Sequence, residues 1–206
     1  MRWPRSRPGR LLLVRHGQTP ANIEQVWHGH TDTELTAVGH TQARKLGQGF
    51  MTYLPQLDAV FCSPLQRARI TAEHIARAYG LDVSSDPRLI EFGAGEWEGE
   101  SFERLRGELA FFKGVATDQH HRAPGGESRA EVTRRFVSAV EEYRQRHPGQ
   151  SLAVVAHGVV MACAVSWWLH QSSDQWVDYH FSNTAVTELD IEARKLVYFN
   201  RTDHLA

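Results

Sequence analysis

The sequence predicts an α/β protein with a mostly parallel central sheet and helices on both faces. Short apolar segments alternate with longer segments that carry an apolar stripe at helical spacing, which favours a sheet covered by helices. Residues 151–156 (SLAVVA) are apolar nearly throughout and do not alternate with polar residues. That pattern is typical of a central parallel strand that is buried on both faces.

The first strand is predicted at residues 11–14, four apolar residues in a row just before a glycine turn. A polar loop continues to about residue 34. A helix then begins with Thr36 as its N-cap, and Pro55 marks its end.

The second strand is predicted at residues 58–62. The next helix is expected to begin at once, with Ser63 as N-cap and Pro64 at its first position, since serine and proline favour these places. Gly80 is expected to end that helix in the left-handed conformation that glycine adopts without strain.

The second half of the chain continues the alternation. Residues 86–100 are irregular and rich in glycine and acid, residues 102–112 are predicted as one short helix, and residues 113–126 as a loop. A long helix is predicted at residues 127–147, and the strand at 151–156 leads into an apolar helix. The last two strands, at residues 184–190 and 195–201, are expected to form a hairpin.

Composition indicates one ordinary globular domain. The chain has 206 residues, 41% hydrophobic and 23% charged, with a formal net charge of −1, so a nucleic-acid-binding protein is not expected. Residues 1–10 carry four arginines and two prolines and are predicted to be a flexible basic tail. No apolar stretch is long enough for a membrane span.

Cysteine and histidine usage argue against cross-links and metals. Cys62 and Cys163 lie far apart in apolar surroundings, which predicts two buried free thiols in a reducing compartment, the cytoplasm. The chain has twelve histidines, and the local groups among them do not match a zinc-ligand spacing. These groups are interpreted as surface residues: His28, His30, His40, His120 and His121.

Charged and titratable residues follow three of the predicted strands. Arg15 and His16 follow the first strand, His157 follows the strand at 151–156, and Arg67 lies one turn into the helix after the second. The carboxyl ends of parallel strands meet at one edge of a sheet, where ligands bind. These four side chains are therefore expected to form one site.

The residue types in this predicted site suit phosphoryl transfer. Guanidinium groups are planar forks that bind phosphate oxygens, and a histidine ring nitrogen can attack phosphorus and carry the group covalently. A second histidine can bind another oxygen, and a carboxyl group can protonate the departing one. The candidate acids cluster in the glycine-rich segment: Glu91, Glu96, Glu98 and Glu100.

Several motifs in order resemble those of the histidine phosphatase superfamily, in its phosphoglycerate mutase-like branch. Residues 13–19 (LVRHGQT), followed by Asn22, are similar to the family's opening motif, with Gln18 where many members carry glutamate. Five further segments are similar to family blocks: residues 35–46, 63–72, 89–99, 124–128 and 154–158. The resemblance covers the chain from residue 11 to about residue 190.

The resemblance implies a phosphoglycerate mutase-like fold and a role for each matching residue. His16 would be the nucleophile that becomes phosphorylated, and Glu91 would donate the proton to the leaving group. The phosphate pocket would be completed by Arg15, Arg67, His157 and Asn22. No metal or organic cofactor is implied, and the expected partner is a small phosphomonoester.

The expected organisation is a tail at residues 1–10 and a single histidine phosphatase domain at 11–206, with a substrate-side loop or cap at about 99–126. That segment is shorter than in phosphoglycerate mutases, which favours hydrolysis of a phosphomonoester over mutase transfer. Its phenylalanines suggest a substrate with an apolar part, or else belong to the core.

Three alternatives stay open at this stage: a phosphoglycerate mutase, a catalytically silent phosphate-binding module and a metal hydrolase. The substrate and the oligomeric state are open too, a homodimer being one option.

Overall fold

The structure is a computed structural model that describes residues 9–206. In these residues six strands form one sheet in the order β3-β2-β4-β1-β5-β6. Strands β3, β2, β4 and β1 are parallel, whereas β5, next to β1, pairs antiparallel with both β1 and β6. The predicted fold class is therefore confirmed. The strands are β1 (Leu11–Arg15), β2 (Ala59–Cys62), β3 (Val83–Ser85), β4 (Leu152–Ala156), β5 (Val186–Asp190) and β6 (Lys195–Arg201).

The two central strands separate the core into two layers. Leu13 and Val154, paired across β1 and β4, face one layer, whereas their neighbours Leu12 and Val155 face the other. All four are fully buried, as expected for strands covered on both faces. The sheet thus supplies a rigid base whose carboxyl edge holds the candidate site.

Helices cover both faces. Helices α2 and α3 pack against each other on one face, and α6 and α7 pack against each other on the other. The short helices α1, α4 and α5 lie in the connections that follow β1 and the glycine-rich segment. The helices are α1 (Pro20–Glu24), α2 (Ala37–Tyr53), α3 (Gln66–Tyr79), α4 (Phe102–Arg106), α5 (Phe111–Thr117), α6 (Arg129–Arg146) and α7 (Gly158–His170).

Two of the three predicted helix caps are confirmed and one is wrong. The Thr36 hydroxyl accepts from the Gly39 amide at 3.0 Å, and Gly80 ends α3 with φ of 66°. Helix α3, however, begins at Gln66 with Leu65 as its N-cap residue. The Ser63 amide donates to the Val155 carbonyl of β4, and its hydroxyl accepts from the Leu65 amide at 3.3 Å, so Ser63 lies before the N-cap position of the helix.

The segment after the glycine-rich loop also differs from the prediction. The expected single helix at 102–112 is two helices, since the chain breaks between Gly107 and Ala110, which has a φ of 47°. Helix α5 then continues to Thr117, into residues predicted as loop. Strand β3, at the sheet edge, is too short and too polar to show in the sequence. The late hairpin of β5 and β6 is confirmed.

The predicted tail, residues 1–10, is described only at its last two residues. Residues 1–8 lie outside the described part of the chain. Arg10 is described, and its Nε donates to Glu188 Oε1 on β5 at 2.7 Å. This contact anchors the chain just before β1.

Two further predictions concern the cysteines, expected to be buried free thiols, and the expected lack of a membrane span. Cys62 and Cys163 are both buried and free of disulfides, as predicted. Burial raises the pKa of both thiols, that of Cys163 to about 12. Within residues 9–206 no helix is both long enough and apolar enough to cross a membrane.

Candidate active site

The predicted site residues meet at the carboxyl edge of the sheet. Strands β1 and β4 are parallel neighbours, so His16 and His157, which follow them, lie with ring centroids 5.1 Å apart. Arg67, in the first turn of α3, brings its Nε to 3.3 Å from His157 Nδ1. Arg15 and Glu91 line the same cavity.

Gly17 allows the histidine turn to lie directly against α2. A Cβ atom at Gly17 would come within 2.6 Å of the Gly39 carbonyl oxygen, so a larger residue would push the helix away. The Gly17 amide also donates to the Thr71 hydroxyl of α3 at 3.1 Å. Helices α2 and α3 therefore both fix the backbone next to His16.

The two histidines are held in opposite tautomers. His16 Nδ1 lies 2.7 Å from the Gly17 carbonyl oxygen, which can only accept, so Nδ1 carries the proton and Nε2 keeps its lone pair. His157 Nδ1 faces Arg67 Nε, which can only donate, so in the neutral ring the proton sits on Nε2. One ring thus offers a nucleophile, and the other offers a hydrogen-bond donor. His157 Nε2 has no partner within the described chain.

Both histidines are neutral at physiological pH. Burial lowers the pKa of His16 well below its usual value, and the nearby Arg67 and Arg15 charges lower it further. The pKa of His157 is lowered in the same way, by burial first and then by Arg67. A neutral imidazole is the form that can act as a nucleophile.

The two arginines are not equivalent. Arg67 donates to four acceptors, which are His157 Nδ1 and the carbonyls of His28, Gly29 and Thr31, and this leaves an N–H on Nη1. Arg15 donates through Nη1 to the Phe181 carbonyl at 2.5 Å, while its Nε has no partner in residues 9–206. Burial lowers the pKa of Arg67 to about 10, so it remains a cation at neutral pH. Arg15 therefore has more donors left for an anion than Arg67 has.

Glu91 sits at the N-terminus of α7. Its Oε1 accepts from the amides of Phe92 and Val160 at 2.9 and 2.8 Å, and its Oε2 accepts from the Val159 amide at 3.0 Å. Oε2 thus retains one lone pair that can carry a proton. The helix N-terminus and the three amides hold the carboxyl group in place.

The other acids of the segment lie outside the lining of the cavity. Glu98 binds backbone amides of the loop at residues 29–31, Glu100 pairs with Arg104, and Glu96 is exposed. This geometry favours Glu91 as the acid among the four candidates.

Asn22 also lines the cavity. Its Oδ1 accepts from the Thr19 amide, in the capping box of α1, and from Asn183 Nδ2, each at 3.1 Å. Because Oδ1 is used twice, the amide nitrogen is the group that is left for a ligand. Asn183 was not identified from the sequence, and it also donates to the His16 carbonyl.

The cavity has a volume of about 490 Å³ and an aromatic outer half. One of its walls is α4 with α5, within the segment predicted as a cap, and the other is the segment at residues 176–181, which sequence analysis did not place in a site. The aromatic density of residues 176–181 was the available signal. The outer lining includes Trp27, Phe102, Arg106, Phe112, Trp176, Val177, Tyr179, His180 and Phe181.

The phenylalanines of the predicted cap divide between cavity and core. Phe102 and Phe112 line the cavity, whereas Phe111 is buried in the core against Trp97. The cap's arginines divide as well. Arg104 and Arg122 form ion pairs with glutamates, whereas the exposed Arg106 lines the cavity and has no ion pair in the described chain.

The remaining histidines do not form a metal centre. His28 lies at the cavity wall, His30 and His120 are exposed, and His121 is half-buried. No three or more His, Cys, Asp or Glu side chains between residues 9 and 206 are grouped so that they could hold a metal ion.

Comparison with known proteins identifies the family. The family model of the histidine phosphatase superfamily (branch 1) matches residues 11–202. The chain therefore belongs to this superfamily, as the sequence motifs predicted. The family and its phosphatase-named relatives identify it as a phosphatase of small phosphorylated metabolites.

Three relatives illustrate the range of the family. Phosphoserine phosphatase 1 of Hydrogenobacter thermophilus is 31% identical over 200 residues, covering 95% of this chain and 94% of that protein. A Salmonella choleraesuis protein named "Probable phosphoglycerate mutase GpmB" is 34% identical over 158 residues, covering 76% and 73%. The structure of a mycobacterial glucosyl-3-phosphoglycerate phosphatase with VO3 is 28% identical, with a TM-score of 0.81 and coverage of 93% and 98%.

Proposed function

We propose that the protein hydrolyses phosphomonoesters through a phosphohistidine formed on Nε2 of His16. The observation that carries the proposal is the opposite tautomers of two buried histidines in one cavity, since they pair a free lone pair with a free N–H donor. In the first step Nε2 of His16 attacks phosphorus and the bond to the ester oxygen breaks. Glu91 Oε2 gives its proton to that oxygen, and the alcohol leaves.

In the second step water attacks the phosphohistidine. Glu91, now a carboxylate, takes a proton from the water, and the bond between phosphorus and Nε2 breaks. Phosphate leaves, His16 regains its lone pair and Glu91 is protonated again. In both steps the negative charge on the phosphoryl oxygens is stabilised by fixed donors, which we assign to Arg15, Arg67, His157 Nε2 and the Asn22 amide.

The outer half of the cavity supports a substrate class. Its aromatic walls suit a leaving group with an apolar part, and residues 99–126 contribute Phe102, Arg106 and Phe112 to them. We propose that this segment is the substrate-side cap. Arg106 would meet a second anionic group, such as a carboxylate. Two relatives are named for phosphomonoesters that carry a carboxylate, phosphoserine and glucosyl-3-phosphoglycerate.

The test is a panel of phosphomonoesters, with and without a carboxylate, ranked by kcat/KM from released phosphate. The reaction is run in excess chelator, and full activity is expected because the proposed groups are side chains alone. Loss of activity in chelator, restored by a divalent cation, would favour a metal hydrolase instead.

The panel also separates hydrolysis from mutase transfer. With 3-phosphoglycerate, free phosphate should form at least as fast as 2-phosphoglycerate. A mutase flux that clearly exceeds hydrolysis after priming with bisphosphoglycerate would contradict the proposal. A silent binding module would bind phosphate without turning over any ester.

A further inference from the structure

The loop at residues 28–31 forms a cradle for the Arg67 side chain. Arg67 Nη1 donates to the Thr31 carbonyl at 2.8 Å, and Nη2 donates to the carbonyls of His28 and Gly29 at 3.0 Å each. The loop has no regular secondary structure of its own. Something else must therefore hold three carbonyl oxygens aimed at one guanidinium group.

The carboxylate of Glu98 binds the same loop through its amides. Its Oε2 accepts from Gly29 N at 2.9 Å, from Thr31 N at 3.2 Å and from the Thr31 hydroxyl at 2.9 Å. Its Oε1 accepts from His30 N at 3.2 Å and from Ala94 N at 3.0 Å. The loop thus directs carbonyls to a cation and amides to an anion.

The loop at residues 28–31 packs closely against the glycine-rich segment at residues 86–100. A Cβ atom at Gly29 would overlap the Phe92 carbonyl and come within 2.5 Å of Glu98 Oε1, so only glycine fits. The Ala94 amide ties the same carboxylate to the segment that carries Glu91. Glu98 therefore links the loop under Arg67 to a fixed part of the fold.

We propose that Glu98 is a positioning residue for Arg67, acting through the backbone of residues 29–31. The inference rests on the proposed role of Arg67 in binding the phosphoryl group. Because Arg67 Nε also faces His157 Nδ1, the cradle orients both the remaining Nη1 donor and the His157 tautomer. Loss of the carboxylate should release the loop, let Arg67 shift and weaken transition-state binding.

The variant that tests this role most directly is Glu98→Gln, which keeps the shape of the side chain but replaces one acceptor oxygen with an NH2 group. Each carboxylate oxygen accepts from at least two donors, so a glutamine amide places its NH2 group against N–H donors in either orientation. We expect kcat/KM to fall about 10- to 100-fold, the size that a small misplacement in an active site costs. The fall should be the same for alkyl and p-nitrophenyl phosphates, because Glu98 does not protonate the leaving group. The matched control is Glu96→Gln, an exposed acid of the same segment, which should behave as wild type.

A double-mutant cycle with Arg67→Ala separates positioning from general damage. If Glu98 acts through Arg67, adding Glu98→Gln to Arg67→Ala should cost less than about twofold, and the same non-additivity should hold for inhibition by inorganic phosphate. Melting curves check folding. If Glu98→Gln does not fold, Thr31→Val replaces it in the cycle, since it removes one donor to Oε2, and a loss of about two- to fivefold is expected.

Two outcomes overturn the inference while the proposed function stands. One is wild-type activity in the folded Glu98→Gln variant beside an impaired Arg67→Ala. The other is a full, additive loss in the double mutant. Wild-type activity in Arg67→Ala would instead reject the proposed phosphate-binding role of Arg67, and the inference with it.

Discussion

The two ends of the cavity differ in how their polar groups are held. At the inner end, His16, Arg67, Glu91 and His157 are buried, and hydrogen bonds fix their side chains from the backbone or from each other. At the outer end most side chains come from the short helices α4 and α5 and from residues 176–181, which contain a 3₁₀ turn at Trp176–Asp178, and Arg106 and His180 are exposed. The inner end is rigid by construction, whereas the outer end rests on elements that neighbouring strands do not support.

This difference suits the inner end to phosphoryl transfer and the outer end to substrate selection. Phosphoryl transfer requires hydrogen-bond donors that do not reorganise as charge moves. The carboxyl edge of the sheet, together with the N-termini of α3 and α7, holds such donors in place. Substrate choice requires only a surface that complements the leaving group. Changes at the inner end should therefore affect every substrate strongly, and changes at the outer end should affect some substrates mildly.

The largest effect is expected from His16→Ala. Losing a nucleophile should lower kcat by several orders of magnitude on all substrates, leaving only the residual activity of a preorganised pocket. The control is His120→Ala, an exposed histidine outside the cavity. Acid-labile phosphate should be trapped on His16 during turnover, and its recovery on another residue would show that the assignment is wrong.

The next effect is expected from Glu91→Gln. General acid catalysis is worth about 10²–10⁴-fold, and a loss of that size is expected on alkyl phosphates. The loss should be much smaller on p-nitrophenyl phosphate, whose leaving group needs little protonation, provided that phosphorylation limits the rate. Glu96→Gln is the control on both substrates. A large leaving-group-dependent loss in Glu96→Gln, Glu98→Gln or Glu100→Gln, with none in Glu91→Gln, would identify a different acid.

The buried histidines should make folding stability depend on pH. Their pKa values are lowered in the folded state, so below pH 6.5 the unfolded chain takes up protons that the folded chain does not. The free energy of unfolding therefore keeps their full contribution above the unfolded pKa. It decreases as the pH is lowered below that value, by up to about 1.4 kcal/mol per pH unit for each histidine. The carboxyl groups of Asp86 and Glu127 have pKa values of about 2, so their contribution is lost only at lower pH.

Urea unfolding of the wild type between pH 7 and pH 5 measures this slope. His204, with its pKa lowered to about 4 by burial, adds to the same trend, and so the informative quantity is a difference between variants. His157→Asn should reduce the slope, whereas His120→Ala should leave it unchanged. An equal slope in wild type and His157→Asn would show that His157 does not remain neutral in the folded protein.

The smallest effect is expected at the outer end, from Arg106→Ala. An exposed ion pair is worth up to about 1 kcal/mol, so the preference for 3-carboxyphenyl phosphate over phenyl phosphate should fall about two- to fivefold. Activity on phenyl phosphate itself should not change. Arg104→Ala, whose arginine pairs with Glu100, is the matched control. A preference that survives Arg106→Ala would place the carboxylate elsewhere in the cavity.

Local patterns were enough to predict the centre of the fold. The apolar strands β1 and β4, the cap at Thr36 and the left-handed Gly80 depend on nearest neighbours along the chain, and all are found. The wrong prediction at Ser63 coincides with a long-range contact, since its amide bonds to β4, about ninety positions away in the sequence, and α3 begins only at Gln66. The break before Ala110 and the short edge strand β3 likewise depend on packing that the local sequence does not display.

The sequence by itself determined the family, the sheet and the set of residues at the strand ends, because these follow from motifs and from the geometry of parallel strands. The resemblance pointed to Glu91 among the four acids, and the tertiary structure added that Glu91, unlike the other three, lines the cavity, where three amides hold it, two of them from α7. It also decided the histidine tautomers, the unequal arginines and the aromatic outer wall. Each of these depends on which groups from distant segments come within hydrogen-bonding or packing distance, and no local pattern encodes that.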